Sequence, residues 1–363
     1  MNKLKLPMLL LALLLVASPS FARHAEILIN ADNGTIMHEL DANQSWYPAS
    51  LTKLMTLYMT FDALKAGQVQ LGDSLSASYH AARQPNSRLG LHTGDNISVE
   101  QAILALITRS ANDASVALAE HLAGTEENFA VKMTAKAHAI GMSDSYFMNA
   151  TGLPNDLQVS TARDLGLLAW RTLRDFPQYY AYFAASGVLF KGRQLPAINK
   201  FTKTYLGAEG MKTGFTCGSG YNLISSASQN GRRQIGVVLG GMSSPQRYQL
   251  MIAMMDNGFA GDYGNGSKAI TAPTVMNAST TPPYQLGCGR HFASPALDET
   301  ASSDNAAPVP RAYHYPRASR YHRAVRHGYA RSRYHKASPA AHPSVHKAAD
   351  KRRYHKVSHS KHH

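Results

Sequence analysis

The sequence predicts an α+β fold in which an antiparallel sheet is flanked by helices and carries an inserted helical lobe. Two strand-like segments come first, at about 25–40, and a mostly helical stretch follows over about 50–173. Three more strand-like segments and a last helix follow at about 211–258. This order of elements indicates one sheet covered by helices, with the helical middle as a lobe.

The first 22 residues have the pattern of a secretory signal peptide. Two lysines precede an uninterrupted apolar run from Leu9 to Val16, and small residues occupy both positions read by a signal peptidase before Arg23. The run is shorter than the roughly 18 residues expected of a spanning helix. We therefore expect an exported protein of the periplasm or cell envelope, with no transmembrane helix in the mature chain.

The first elements of the mature chain are a hairpin and a long helix. The segments AEILI and TIMHEL flank an Asn33-Gly34 turn, which predicts a hairpin of two paired strands over 25–40. Apolar residues then recur with helical period from about Ser50 to Ala66.

The middle of the chain is predicted to be helical. A capping-box pattern, Ser98 with Gln101, opens the helix QAILALIT. The pattern breaks at 109–112, and helical period resumes in ASVALAEHLAG. Two further helices are expected over 126–140 and 162–173.

Strands return in the last part of this region. MKTGFT is a short strand, YNLISSAS alternates, and RRQIGVVLGG follows an Asn230-Gly231 turn. A closing helix is expected over 245–258. The predicted catalytic domain thus covers 23–260.

After residue 260 the composition changes twice. Residues 261–303 are rich in Gly, Ser, Thr, Ala and Pro, which predicts a linker. Residues 304–363 contain almost no aliphatic side chains and are expected to be a disordered tail. Of the chain's net charge of +14, this tail supplies +12, from 14 Lys and Arg against two acidic residues, and it holds ten of the 17 histidines.

Two cysteines, Cys217 and Cys288, are present. In an oxidising compartment they can form a disulfide, but the sequence does not show their separation, so pairing and simple packing both remain open.

Three short motifs carry the candidate chemistry. Ser50 and Lys53 lie three residues apart at the start of a helix, so the amine can reach the hydroxyl. Ser110-Ala111-Asn112 falls in the break between two helices, and Lys212-Thr213-Gly214 opens a strand. Taken singly, each motif also fits a structural role: a helix start with an exposed lysine, a helix cap, and a turn.

The first motif sets a chemical requirement. A serine hydroxyl is a poor nucleophile until a base takes its proton, and a lysine is a base near neutral pH only if burial or a second cation lowers its pKa. The leaving group needs a proton as well, so a second proton carrier is required. The other two motifs offer the second cation and this proton carrier.

The three motifs in this order resemble those of penicillin-binding proteins and β-lactamases. The stretches PASLTKLMT, SANDASVALAE, TGLPNDLQVSTARDL and EGMKTGFTCGSGYNLISSA resemble the D-alanyl-D-alanine carboxypeptidases among the low-molecular-mass penicillin-binding proteins. The resemblance covers about Ala25 to Gly258. It implies a β-lactamase/transpeptidase-like fold.

The resemblance also implies roles for individual residues. Ser50 is expected to be the nucleophile, Lys53 the general base and Ser110 a proton relay, with Asn112 binding the substrate backbone. In addition, Lys212 and Thr213 are expected to hold the terminal carboxylate, Gly214 to let the substrate approach, and Phe215 to supply a backbone N–H to the oxyanion hole together with Ser50. No metal or organic cofactor is implied.

The function implied is removal of the terminal D-alanine from peptidoglycan pentapeptide stems, with β-lactams as inhibitors. No glutamate between the second and third motifs has the context of a β-lactamase deacylating residue, which argues against that class. A DD-endopeptidase that cuts cross-links uses the same residues and remains an alternative. Family members often carry a further β-domain and an amphipathic anchor helix, and neither pattern is found here.

The basic tail suggests a partner of its own. Arg, Lys and Tyr are interleaved, which favours polyanions. In an exported protein an anionic envelope polymer or membrane surface is the expected partner, and no specific nucleic acid is expected. A solvated spacer is the simpler alternative. A wall-binding protein that acts through this tail, with a vestigial active site, is a third functional reading.

Overall fold

The structure is a computed structural model that describes residues 24–273. The strands are β1 (Ala25–Asn30), β2 (Thr35–Leu40), β3 (Ser74–Ser76), β4 (Asn96–Ser98), β5 (Gly187–Phe190), β6 (Arg193–Pro196), β7 (Ala208–Thr216), β8 (Gly220–Gln229), β9 (Arg232–Gly241) and β10 (Lys268–Ala269). The helices are α1 (Thr52–Lys65), α2 (Tyr79–Ala82), α3 (Val99–Arg109), α4 (Asn112–Ala123), α5 (Glu126–Ala139), α6 (Ala162–Asp175), α7 (Phe201–Thr204) and α8 (Ser244–Ala260), with 3-10 helices at Ala49–Leu51 and Pro177–Ala184.

Strands from both ends of the described region form one antiparallel sheet. Its order is β10-β2-β1-β9-β8-β7, so the first hairpin joins the later strands through β1 and β9, where Ile27 lies opposite Val237. Asn230 and Gly231 both have positive φ, which is the geometry of a two-residue hairpin turn between β8 and β9. The predicted fold class is confirmed.

Both faces of this sheet are covered. Successive side chains of a strand point to opposite faces. Ile27 and Ile29 of β1 therefore join the core on the side of α6, whereas Leu28 packs with Met251 and Met254 of α8 on the other side. Because β1 is buried on both faces, it has an almost continuous apolar sequence.

The helical lobe is organised around α1. Most of its residues are buried on all sides, including Thr56 and Thr60, as expected of a helix inside a core. The predicted capping box is present at the start of α3: the Ser98 hydroxyl accepts a hydrogen bond from the Gln101 backbone N–H, and the Gln101 side chain accepts one from the Ser98 N–H. The predicted break is also present, since α3 ends at Arg109 and α4 begins at Asn112.

Several short elements were not predicted. The strands of the β3–β4 and β5–β6 pairs and the helices α2 and α7 span only three or four residues each, too few for a periodic pattern to stand out. The packed structure also extends beyond the predicted domain boundary at 260. Strand β10 pairs with β2, and Ile270 is buried in the core.

No helix within residues 24–273 combines the length and the apolar character that crossing a membrane requires. The predicted signal peptide, most of the linker and the tail lie outside the described residues.

Candidate active site

Ser50 and Lys53 meet at the junction of a 3-10 turn and α1. Ser50 lies in the turn at Ala49–Leu51, and Lys53 is in the first turn of α1. The Lys53 side chain is fully buried, with Nζ 3.1 Å from Ser50 Oγ. Helical spacing thus brings the two groups together as the sequence predicted.

Two further contacts orient the Lys53 amine. Its Nζ is 2.7 Å from Asn112 Oδ1 and 2.5 Å from the Thr151 carbonyl oxygen. Both are acceptors that have no hydrogen to donate. A neutral amine has two N–H groups, and these two acceptors engage both of them. Its lone pair is then left to face the Ser50 hydroxyl.

The environment favours the neutral form of this amine. Burial lowers the pKa of Lys53 well below its ordinary value, the nearby charge of Lys212 lowers it further, and the carboxylates of Glu126 and Asp113 partly oppose the effect. Lys212 is itself buried. Burial and the charge of Arg247 lower the pKa of Lys212 to about 7.

The second motif supplies a hydroxyl and an amide from the interhelical break. Ser110 has left-handed backbone angles, φ 55° and ψ 37°, which an L-residue with a side chain seldom adopts. Its Oγ accepts a hydrogen bond of 2.8 Å from Lys212 Nζ. Asn112 donates through Nδ2 to the Pro85 carbonyl while its Oδ1 accepts from Lys53. Asn112 therefore anchors the lysine, and one Nδ2 hydrogen remains for another acceptor.

The third motif lies on β7, the edge strand of the sheet. Gly214 faces the turn that carries Ser50: a Cβ at this position would lie 3.1 Å from the Pro48 carbonyl oxygen and 3.2 Å from the Ser50 nitrogen. A Cβ at these distances would be tightly crowded, so a residue without a side chain favours this close approach of the strand. The backbone of Phe215, the next residue, therefore lies beside that of Ser50.

A cavity of about 330 Å³ opens above these groups, and we call it the catalytic cavity. Six of the eight predicted site residues line it. The other two, Lys53 and Lys212, are buried, and they contact the lining residues Ser50 and Ser110, respectively. The lining residues from the prediction are Ser50, Ser110, Asn112, Thr213, Gly214 and Phe215.

Sequence reasoning missed Arg247, which also lines the catalytic cavity. Its guanidinium donates to the carbonyls of Gly214 and Asn222. Among residues 24–273 its Nε has no hydrogen-bond partner, and no carboxylate pairs with it. A buried cation without a counter-ion is suited to bind an anionic ligand. Arg247 belongs to a helix with no motif around it, so only its position in space reveals it.

Residues 150–152 also contribute to the site, although no motif in the sequence indicated a role for them. Thr151 offers its carbonyl to Lys53, and Gly152, with φ +82°, lies so close to the 3-10 turn that a Cβ would be 1.9 Å from the Ala49 carbonyl oxygen. Glu126 holds this segment by accepting a hydrogen bond from the Ala150 N–H, and it is paired with His80 at 2.7 Å.

The cysteine after β7 and possible metal ligands complete the description of the site. Cys217, just after β7, is disulfide-bonded, in line with the pairing alternative, and Cys288 lies outside the described residues. Within residues 24–273, no group of three or more His, Cys, Asp or Glu is arranged to hold a metal ion.

Comparison with known families agrees with this geometry. The model of the peptidase family described as D-alanyl-D-alanine carboxypeptidase matches residues 14–243, which is more than half of the chain. The chain belongs to this D-alanyl-D-alanine carboxypeptidase family.

Among individual members of the family, DacC of Escherichia coli strain K12 is 36% identical to the chain over 251 residues, and DacF of Bacillus subtilis strain 168 is 32% identical over 239 residues. Both are named D-alanyl-D-alanine carboxypeptidases. The alignments cover 67% and 64% of this chain but only 63% and 61% of those proteins.

Solved structures show the same fold. Penicillin-binding protein 5 of Haemophilus influenzae has a TM-score of 0.63 and 32% identity, covering 68% of this chain and 73% of that one. Penicillin-binding protein D2 of Listeria monocytogenes, in its ampicillin-bound form, has a TM-score of 0.57 and 29% identity, covering 65% and 96%.

The close approach of Gly152 to the turn leads to a prediction. Gly152→Ala would place a methyl group against the Ala49 carbonyl and displace Ser50. We expect acylation of Ser50 by a fluorescent penicillin to slow by about 100-fold, since misplacement by about 1 Å can have that effect. Gly94→Ala is the control, because Gly94 also has positive φ but has open space at its Cβ position. Equal labelling rates for the two variants would contradict the steric account.

Proposed function

We propose that this chain is an exported serine-type D-Ala-D-Ala carboxypeptidase that removes the terminal D-alanine from peptidoglycan pentapeptide stems. The observation that carries the proposal is the buried Lys53 amine, 3.1 Å from Ser50 Oγ and held by two acceptors. Burial and the charge of Lys212 lower the pKa of this amine, which favours the neutral form whose lone pair can take the serine proton.

The first step is acylation. Ser50 Oγ attacks the carbonyl carbon between the two D-alanines, and its proton moves to Lys53 Nζ. The negative charge that develops on the carbonyl oxygen is stabilised by the backbone N–H groups of Ser50 and Phe215. The support is that β7 lies against the Ser50 backbone at Gly214. Donors of this kind contribute most where they are already in place before the reaction.

The terminal carboxylate gives the substrate its orientation. Thr213 and Arg247 line the same cavity, and the Arg247 guanidinium has no counter-ion among the described residues. A carboxylate placed there would pair with Arg247 and accept a hydrogen bond from Thr213. The two D-alanines would then lie along the edge of β7.

The leaving group needs a proton, and the acyl-enzyme needs water. Ser110 Oγ is hydrogen-bonded to Lys212 and can pass a proton from that ammonium to the departing amine nitrogen as the C–N bond breaks. Before the second step Lys53 passes the proton that it took from Ser50 to Lys212, through Ser110 or solvent, which restores the neutral base and the ammonium. Lys53 then takes a proton from the attacking water and returns it to Ser50 Oγ as the ester bond breaks. A β-lactam would acylate Ser50 in the same way.

Ser50→Ala tests the function directly. Muropeptides are incubated with the wild type and the variant and analysed by mass spectrometry. We expect pentapeptide monomers to lose one alanine with the wild type only, because the variant lacks the nucleophile. Conversion of cross-linked dimers to monomers would instead identify an endopeptidase. Absence of both products with the wild type would contradict the enzymatic proposal.

The pH dependence of kcat/KM tests the role of the lysine pair. Lys53 must be neutral to act as a base, so activity rises with pH as Lys53 loses its proton. Lys212→Gln removes the charge that holds the pKa of Lys53 down. The rise of kcat/KM on the acid side of the pH profile should therefore move to higher pH, by about one unit or more. We call this rise the acid limb.

The control for this experiment is Lys132→Gln, which removes the charge of an exposed lysine on α5. Its acid limb should coincide with that of the wild type. An acid limb that stays in place in Lys212→Gln would show that Lys212 does not tune the base.

We also propose that the tail binds an anionic envelope polymer or membrane surface. Support comes from its composition alone, 14 Lys and Arg against two acidic residues in 304–363. Export is supported by the apolar run after a basic start.

Deleting 304–363 should leave turnover of a small dipeptide substrate nearly unchanged but weaken sedimentation with purified envelopes, most clearly at low salt. Screening reduces such attraction as salt rises, so sedimentation that does not respond to salt would contradict the electrostatic account. If the deletion abolished a cellular phenotype that Ser50→Ala left intact, the biological role would belong to the tail and not to the active site.

A further inference from the structure

A second cavity, of about 610 Å³, adjoins the catalytic cavity, and we call it the stem cavity. It is lined by three segments, 47–49, 152–156 and 215–218, together with Asn86 and Gln158. Asn86, Gly152, Leu153, Phe215 and Thr216 line both cavities, so the two form one continuous cleft.

The edge strand β7 gives this cleft a direction. The catalytic cavity contacts residues 213–216 and holds Arg247, whereas the stem cavity contacts 215–218. If the terminal carboxylate binds near Thr213 and Arg247, the residues that precede the scissile bond extend the other way, past Phe215. An extended chain advances about 3.3 Å per residue, so the residue before the two D-alanines reaches the stem cavity.

The two cavities differ in charge. The catalytic cavity contains the Arg247 guanidinium and adjoins the buried amines of Lys53 and Lys212. Among residues 24–273, Asp156 is the only charged side chain in the lining of the stem cavity. Asp156 is exposed to solvent and makes no ion pair or side-chain hydrogen bond with residues 24–273.

The remaining lining of the stem cavity suits an aliphatic chain that ends in an amine. Leu153, Pro154 and Phe215 provide apolar surface, and Asp156 belongs to the same lining segment as the first two. Asp156 is also close enough to Tyr47, another lining residue, to influence it. Burial, and after it the charge of Asp156, raise the pKa of the Tyr47 hydroxyl. A lysine-like side chain packs its methylene groups on apolar surface while its ammonium pairs with a carboxylate.

We propose that Asp156 is a specificity residue that binds a free side-chain amine on the stem residue preceding the D-Ala-D-Ala dipeptide. The substrates favoured are therefore stems with a diamino acid at that position whose side-chain amine is unmodified. This assignment rests on the proposed carboxypeptidase function.

The test uses two tripeptides that differ at one nitrogen. Nα-acetyl-L-Lys-D-Ala-D-Ala is supplied with its ε-amine either free or acetylated, and kcat/KM for D-alanine release is measured for each. We expect the wild type to favour the free amine by about two- to five-fold, as for a solvent-exposed ion pair. The preference should shrink in 1 M salt.

Three variants isolate the carboxylate. Asp156→Asn should bring the ratio close to one, and Asp156→Lys should reverse the preference. Asp262→Asn removes the same charge from an exposed residue that lines neither cavity, and it should keep the wild-type ratio. All variants should still release D-alanine from the acetylated substrate, since Asp156 takes no part in the chemistry.

The possible failures are distinguishable. If the wild type releases D-alanine from neither peptide, the proposed function fails and the assignment falls with it. If it releases D-alanine from both without preference, or if Asp156→Asn keeps the preference, only the Asp156 assignment is wrong.

Discussion

The site depends on one constraint, the burial of the Lys53 amine among acceptors. An exposed lysine beside Ser50 would be protonated at neutral pH and unable to take a proton. Here the amine is inside the protein, where the Asn112 side chain and the Thr151 carbonyl each accept one of its hydrogens. The cost of burying a charge thus favours the neutral base, and the two acceptors set its direction.

The surrounding structure maintains this arrangement. Asp113 is fully buried, and its carboxylate accepts hydrogen bonds from the backbone N–H groups of Leu89, Gly90, Leu91 and Ala114. This holds the loop beside the cleft against the start of α4, next to Asn112. On the opposite side, Gly214 allows the edge of the sheet to approach the turn that carries Ser50. Packing between elements far apart in sequence therefore controls the chemistry of one amine.

The main elements could be predicted because their patterns are long enough to read. The alternation in β8, the Asn-Gly turns and the capping box at Ser98 all correspond to observed elements. Strand β7 begins at Ala208, earlier than the Met211 start that the sequence indicated, because Glu209 and Gly210 show no apolar alternation. Strand β10 was missed for a similar reason, since two residues carry no period.

The sequence by itself determined which residue types are available and where: the serine and lysine one helical turn apart, the hydroxyl at a helix break, and the Lys-Thr-Gly strand. Local spacing suffices for these, because residues three apart on a helix share a face. Only the tertiary structure decided which acceptors meet Lys53, that Arg247 enters the same cavity, and that Asp156 lies along the same cleft. These contacts join residues up to about two hundred positions apart. Protonation state and binding direction follow from such contacts, since burial and neighbouring charge are properties of the packed protein.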